Sequence, residues 1–223
     1  MNHERASGLA MIAGSAGLII TLMLHPSDRG LFSPEHYESA ARQLIAVHSL
    51  ALLSLPIWFF GAVGLMRRLG WPGTAGLVFY GFGSAAVMTA ITFDGLVSPG
   101  LAKQIIATTG TVGQGWRIAF NYNSMIDQAF MRVFIVGSMA AIALWSAAIL
   151  KTRVLPRGIG IYGLLLSAAG IIALVTGLMN SRPHVFGMAI VGEALWFIAA
   201  GVQLWQMTPA STNQPLPLPQ PQG

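Results

Sequence analysis

The sequence predicts an all-α membrane protein, a polytopic bundle of six transmembrane helices with both termini in the cytoplasm. Charged residues make up only 9% of the 223 residues, against about 25% in a typical soluble domain. The mean hydropathy is +0.66. The apolar residues form six continuous runs, which lack the alternation of barrel strands. A chain so poor in charge cannot cover a soluble surface, so most of it must face lipid.

Each apolar run is long enough to cross a bilayer, which takes roughly 20 helical residues. The predicted spans are Ala6–Leu24, Ala41–Met66, Thr74–Ser98, Asn121–Leu150, Gly158–Met179 and Val185–Met207. The first run is longer than the core of a signal peptide and no small-residue cleavage site follows it, so it is predicted to be a retained helix. Residues 1–207 then form a single domain, and the uncharged, Pro-rich residues 208–223 are predicted to be disordered.

The short loops between the spans predict the orientation. Six of the 12 Lys and Arg residues fall on one side of the predicted bundle: Arg5, Arg67, Arg68, Lys151, Arg153 and Arg157. The positive-inside rule makes that side cytoplasmic. On the outer side, the connection from Pro99 to Gly115 contains a candidate interfacial helix, Leu101–Ile106, followed by a Thr/Gly-rich stretch.

Composition and motifs exclude several functional classes. The net charge of +5 comes from residues scattered between apolar runs, without the basic stripe of a nucleic-acid-binding surface. The absence of Cys excludes disulfides, thiolate metal sites and Cys nucleophiles. No H-E-x-x-H, G-x-S-x-G or Walker sequence is present. Whether the protein is an enzyme stays open.

Ionisable residues inside the spans are the most informative feature, because they are costly in lipid and usually functional. Counting about 20 residues outward from each cytoplasmic end places residues of four helices near the outer boundary: His25, His48, Asp94, and Arg132 with Asp127 a turn beyond it. Glu193 of the sixth span lies about two turns deeper. The sequence therefore predicts a polar cluster at the outer rim of the bundle.

Imidazole and carboxylate groups are ligands for divalent metals, and imidazole also binds haem iron. His48 and His25 are the candidate cofactor ligands, joined by Asp94 and Asp127 in a metal site. Each has a plainer alternative. His48 could hydrogen-bond a neighbouring helix, His25 could cap the first helix, and Asp94 could be solvated at the interface. Asn123 of the fourth span is expected to be exposed to solvent.

Arg132 and Glu193 are the deepest opposite charges in the predicted spans. Because intramembrane charges are usually paired, they are predicted to form an ion pair within the bundle. If they do not pair, Glu193 becomes a candidate proton-carrying or ligand carboxylate, and the two residues could line a polar pathway.

Part of the second and third spans resembles a pattern in uncharacterised bacterial multi-pass membrane proteins. The residues that carry it are Ala46-Val47-His48, Gly61, Gly64-Leu65, Phe93-Asp94-Gly95-Leu96 and Pro99. More distantly, His48 with Asp94-Gly95 is similar to the membrane haem isomerases of the styrene oxide isomerase type, which have four helices. These resemblances imply a multi-pass protein of the bacterial inner membrane. They also indicate that the protein should be tested for bound haem.

Three functional hypotheses follow. In the first, the outer cluster binds haem or a metal ion for redox or isomerisation chemistry on a small apolar substrate that enters from lipid. In the second, Asp94, Asp127, Arg132 and Glu193 line the outward-facing path of a small transporter or channel. In the third, the chain is a non-catalytic subunit of a membrane complex. The expected partners are the lipid bilayer, a small apolar ligand and a second copy of the chain, and no nucleic acid.

Overall fold

The fold is known from a computed structural model that describes residues 3–26, 30–181 and 183–207. The described chain is all-α. Its helices are α1 (His3–Leu24), α2 (Tyr37–Leu69), α3 (Trp71–Thr92), α4 (Ser98–Ala107), α5 (Gly110–Thr152), α6 (Arg157–Val175), α7 (Leu178–Ser181) and α8 (Pro183–Gln206). A π-helical turn, Phe93–Val97, joins α3 to α4. The predicted tail, residues 208–223, lies outside the described residues.

Six helical segments of the described chain are long and apolar enough to cross a membrane. They are His3–Leu24, Tyr37–Leu69, Trp71–Ala107, Gly110–Thr152, Arg157–Val175 and Phe186–Gln206. Each contains or closely matches one predicted span, so the prediction of an all-α chain with six such helices is confirmed. Insertion in a membrane and the cytoplasmic position of the termini stay predictions.

Helices α2 and α5 extend beyond their apolar runs at the end of the bundle that is predicted to lie outside, called the outer end below. Helix α2 begins at Tyr37 instead of Ala41, and α5 begins at Gly110 instead of Asn121, so most of the Thr/Gly-rich stretch is helical. The candidate helix Leu101–Ile106 lies within α4. At 1.5 Å per residue, the 43 residues of α5 are roughly 65 Å long, about twice the hydrocarbon thickness. The outer turns of α5 would therefore stand above a bilayer.

A small second core holds this outer layer together. Leu31, Ala41, Leu44 and Ala102 form a buried cluster, with Tyr37 packed against it. The Tyr37 hydroxyl donates a hydrogen bond to the Pro99 carbonyl at 2.9 Å. The contacts attach α4 to the first turns of α2, which explains why helical structure continues where the apolar runs have ended.

The main core is built around aromatic side chains from four helices. Five of them are 0% exposed: Trp58 of α2, Tyr80 of α3, Trp145 of α5, and Trp196 and Phe197 of α8. Their rings pack in contact, with centroid separations from 4.5 to 5.9 Å. Such ring pairs add about 0.5–1.5 kcal/mol each beyond burial. This aromatic core fixes the relative positions of α2, α3, α5 and α8.

Helices α3 and α5 approach each other at backbone distance. A Cβ added at Gly137 of α5 would lie 2.8 Å from the Phe79 carbonyl oxygen and 3.0 Å from the Cα of Gly83. Only small residues permit such a crossing, which is a common means of helix association in lipid. This crossing holds α5 against α3, the helix that continues into the π-helical turn at the outer rim.

The orientation can be tested by cysteine accessibility, because the chain has no native Cys. We expect an impermeant thiol reagent added to intact cells to label Gly115→Cys but not Gly158→Cys, since the positive-inside rule places Gly158 in the cytoplasm. Both glycines are exposed, and an added Cβ meets no atom within 4 Å at either position. The two variants are therefore matched controls for each other. Labelling of Gly158→Cys alone would reverse the orientation.

Candidate metal centre

Two histidines and one aspartate from three segments meet at the outer end of the bundle. His25 follows the last turn of α1, His48 lies in α2, and Asp94 lies in the π-helical turn. One ligand atom of each lies within 4.8 Å of the others. Oδ2 of Asp94 is 2.9 Å from Nε2 of His48 and 3.6 Å from Nε2 of His25. Counting residues outward from the predicted cytoplasmic ends therefore placed at one level three residues that lie close together in the structure.

The His48 ring is buried and held by its other nitrogen. His48 is 5% exposed. Its Nδ1 is 2.8 Å from the Leu44 carbonyl oxygen, one turn earlier in α2. A carbonyl can only accept, so Nδ1 carries the hydrogen and donates it. Its Nε2 points to Oδ2 of Asp94 at 2.9 Å, where it donates a hydrogen bond if the ring is protonated and presents a lone pair if the ring is neutral. The hydrogen bond to Leu44 lies within α2 and orients the ring towards the cluster; the bond to a neighbouring segment, expected as the plainer alternative, is the one to Asp94.

His25 repeats this arrangement at the opening of the cluster. Its Nδ1 is 3.0 Å from the Pro26 carbonyl oxygen, so this nitrogen also donates and Nε2 again points to Asp94. The two imidazole rings are in edge contact, with centroids 5.1 Å apart. The side chains of His25 and Asp94 are 35% and 42% exposed. The cluster is therefore anchored at His48 and open to the surface at His25 and Asp94.

The π-helical turn allows Asp94 to reach the histidines. Wide turns of this kind are rare and often occur at functional sites. Next to Asp94, Gly95 packs against the His48 ring so closely that an added Cβ would overlap its Cβ and Cγ. The glycine therefore permits α2 and the turn to approach within hydrogen-bonding distance of each other.

Asn123 of α5 supports the turn from the opposite side. Its side-chain amide donates to the Phe93 carbonyl oxygen at 3.1 Å and to the Ser98 hydroxyl oxygen at 3.0 Å. The Ser98 hydroxyl donates to the same Phe93 carbonyl at 3.2 Å. Asn123 is 5% exposed, so the expectation of solvent exposure was wrong. Its side chain turns inward because the π-helical turn offers two acceptors on that face.

Asp127 lies beside the three clustered residues and is not one of them. It is half-buried and lines a cavity of about 110 Å³ together with Asp94, Ser98 and Asn123. It also lines a second cavity, of about 240 Å³, that extends along α5 past Arg132 to Ile135. Asp127 therefore lines both cavities and lies outside the group of three that could hold a metal ion.

The predicted ion pair between Arg132 and Glu193 is not made. Arg132 is exposed at the surface, whereas Glu193 is 0% exposed and neither of its carboxyl oxygens has a hydrogen-bond partner among the described residues. Depth counting compared their levels in the bundle, but pairing also requires the side chains to face each other. Arg132 lines the cavity beside Asp127, and Glu193 lies in the interior.

Comparison with protein-family models, with curated proteins and with solved structures gives no match for this chain.

Replacing Gly95 tests the close contact that positions Asp94. We expect Gly95→Ala to lower the free energy of unfolding by about 1–3 kcal/mol, because the added methyl group overlaps the His48 ring. The measurement is thermal or denaturant unfolding of the purified protein in detergent. Gly100→Ala in α4 is the matched control, since an added Cβ there meets no atom within 4 Å. Equal stability of the two variants would contradict the packing described.

Proposed function

We propose that this chain is a multi-pass protein of the bacterial inner membrane that binds a divalent transition-metal ion at its outer rim. His25, His48 and Asp94 are the ligands, and the helix ends that carry Arg67, Arg68 and Lys151 face the cytoplasm. The cluster of two imidazoles and a carboxylate supports the proposal, and the six apolar helices support the membrane location.

The direction of the imidazole nitrogens is the single observation that carries the proposal. Both histidines donate Nδ1–H to a backbone carbonyl and turn Nε2 towards the same carboxylate oxygen. Metal-bound histidines characteristically donate their second N–H to a carbonyl or carboxylate, which fixes the tautomer and the ring orientation. When both rings are neutral, two lone pairs and a carboxylate directed at one point repel each other unless a cation lies between them; a proton serves a single His–Asp pair, whereas one metal ion serves all three groups.

The separations between the ligand atoms suit a small ion of the zinc class. At bond lengths near 2.0–2.1 Å, two ligands of a tetrahedral zinc ion are about 3.4 Å apart. The observed separations of 2.9 and 3.6 Å bracket that distance. Mixed nitrogen and oxygen ligands also suit iron, manganese, nickel or copper, whereas calcium and magnesium prefer oxygen alone.

Haem fits this site less well than a single ion. Sites for drug-sized ligands typically enclose about 300–1,000 Å³, and the cavity beside Asp94 encloses about 110 Å³. The resemblance to haem isomerases implied a haem site, but the close approach of all three ligand atoms favours a metal ion without a macrocycle.

Three protein ligands leave a coordination position for water or a small substrate, as in catalytic zinc sites. Asp94 and His25 are partly exposed, so this position is accessible, and Asp127 faces the adjoining cavity. In such a site Asp127 can accept a proton from a bound water or hydroxyl group. The reaction class that fits is Lewis-acid chemistry, such as isomerisation of a small apolar molecule; a redox-active ion would add electron transfer.

Transport is the second candidate, because one observation favours it. Asp127 lines both the cavity at Asp94 and the larger cavity that extends past Arg132 towards the interior. A polar route along α5 would suit a small transporter open to the outer side. In that case the metal ion could be the cargo and not a resident cofactor.

Metal content tests the proposed site. We expect purified protein loaded with Zn²⁺ and freed of excess metal to retain one ion per chain. His48→Ala should weaken the affinity at least about 100-fold, because a buried ligand is lost and loss of mere supporting groups already costs 10–100-fold. The measurements are elemental analysis and competitive titration with a zinc chelator.

His36→Ala is the matched control, since this histidine is exposed near the same end of the bundle and is not part of the cluster. It should keep the wild-type affinity. Wild-type zinc content in His48→Ala, or an equal loss in His36→Ala, would remove the cluster as the binding site. A Soret band in the purified protein would instead assign haem.

A further inference from the structure

Glu193 is a buried acid that the metal centre does not use. It lies in α8, is 0% exposed, and neither carboxyl oxygen has a hydrogen-bond partner within the described ranges. An isolated carboxylate is very costly in a medium of low polarity, whereas the neutral acid costs far less and can donate a hydrogen bond. With no cation among the described residues paired to it, the neutral acid is the form that this environment favours.

The groups that face Glu193 are hydroxyls from two other helices. The Tyr80 hydroxyl of α3 lies near the carboxyl, with Ser84 beside it one turn along the helix. Ser138 of α5 also lies near the carboxyl, and its hydroxyl donates to the Ile135 carbonyl oxygen at 3.4 Å. The oxygen atoms of Tyr80 and Ser84 are also buried without a hydrogen-bond partner in the part of the chain described. Four polar side chains thus meet in an otherwise apolar interior.

The space around Glu193 is closed on its inner side by the aromatic core. Trp196 and Phe197 follow at spacings of three and four residues, so they lie on the same face of α8. Phe197 contacts Tyr80 at a ring-centroid separation of 5.2 Å, and both residues are 0% exposed. A metal ion or an organic cation would have to displace these rings. A proton is the one cation that can bind here without additional volume.

A route to the outer side ends close to this group. The cavity of about 240 Å³ begins at Asp127 and reaches Ile135 on α5, which is one turn from Ser138. Phe186 lines the same cavity from α8, seven residues and hence two turns from Glu193 on the same face. Two turns of helix are about 10 Å. Ile135, which is 0% exposed, lies along α5 between the rest of this cavity's lining and Ser138.

We propose that Glu193 is a proton-binding site that is protonated at neutral pH and exchanges its proton with the outer side through this cavity. In release, the carboxyl O–H bond breaks and a water molecule that has passed Ile135 accepts the proton, which leaves a carboxylate and a hydronium ion. Ser138 and Tyr80 stabilise the carboxylate by donating hydrogen bonds, and rebinding reverses the step. The charged groups on the route are Asp127 and Arg132, both at the cavity.

This inference depends on the membrane bundle of the proposed function but not on the metal centre. It would make the protein able to couple a proton to a conformational change or to transport. Loss of the metal site by His48→Ala should leave the proton site intact, and Glu193→Gln should leave zinc binding intact. The two proposals can therefore fail separately.

Infrared spectroscopy of the protein in nanodiscs tests the protonated state. At pH 7 we expect a carbonyl band of a protonated carboxylic acid that Glu193→Gln removes and that shifts in D2O. The carbodiimide DCCD, which is apolar, should modify Glu193 in the wild-type protein, and a water-soluble carbodiimide should not. Identical spectra of the wild type and Glu193→Gln, or wild-type protein in which DCCD leaves Glu193 unmodified, would overturn the proposal.

The exchange route is tested separately at Ile135. We expect Ile135→Phe to slow the D2O shift of the Glu193 band at least about ten-fold, since the larger side chain closes the floor of the cavity. Val136→Phe is the matched control, because Val136 is 47% exposed on another face of α5. Equal exchange rates in the two variants would remove this cavity as the route, as would a Glu193 band that does not shift in D2O.

Discussion

The cost of burying a polar group in an apolar helix bundle governs how the outer rim of this protein is built. A buried polar group without a partner costs about 1–3 kcal/mol, so the buried polar side chains of the rim lie where the fold supplies partners, whereas Glu193, Tyr80 and Ser84 of the interior have none among the described residues. Asn123 illustrates the constraint at the rim: it is buried, and its hydrogen bonds end at Phe93 of the π-helical turn and at Ser98, the first residue of α4. His48 does the same through Leu44 and Asp94. At the outer rim, these polar groups are therefore hydrogen-bonded to other groups of the same rim.

The sequence predicts the membrane-crossing part of the fold well, because the low polarity of lipid is recorded directly in composition. Each apolar run corresponds to a helix that is long enough to span. The outer helical turns are predicted poorly for the same reason. Tyr37 and the first turns of α5 are helical because they pack within the outer layer, and contacts between distant segments leave no periodic signal in a single sequence.

The candidate site, like the fold, was predicted only in part from the sequence. Depth along a helix can be counted from the cytoplasmic end, and the count placed His25, His48 and Asp94 at one level. The direction in which a side chain points depends on how each helix is rotated against its neighbours, and a depth count contains no information about that rotation. The inward direction of Asn123 was therefore missed, and Arg132 and Glu193 were paired although they face different surroundings. The glycine beside Asp94 was the available signal for the close contact with His48.

The positions of the two proposed sites bear on how they could work together. The cluster of His25, His48 and Asp94 lies at the surface, where His25 and Asp94 are partly exposed, whereas Glu193 is fully buried. Asp127 lines the cavity at Asp94 and the larger cavity that reaches Ile135. A carboxylate in that position can pass a proton between the outer cluster and the cavity that leads to Ile135. Binding of a cation at the cluster would stabilise the ionised form of Asp94 and repel a second positive charge at Asp127. The occupancy of the metal centre and the proton affinity along α5 would then be coupled by electrostatics alone, without any movement of the helices.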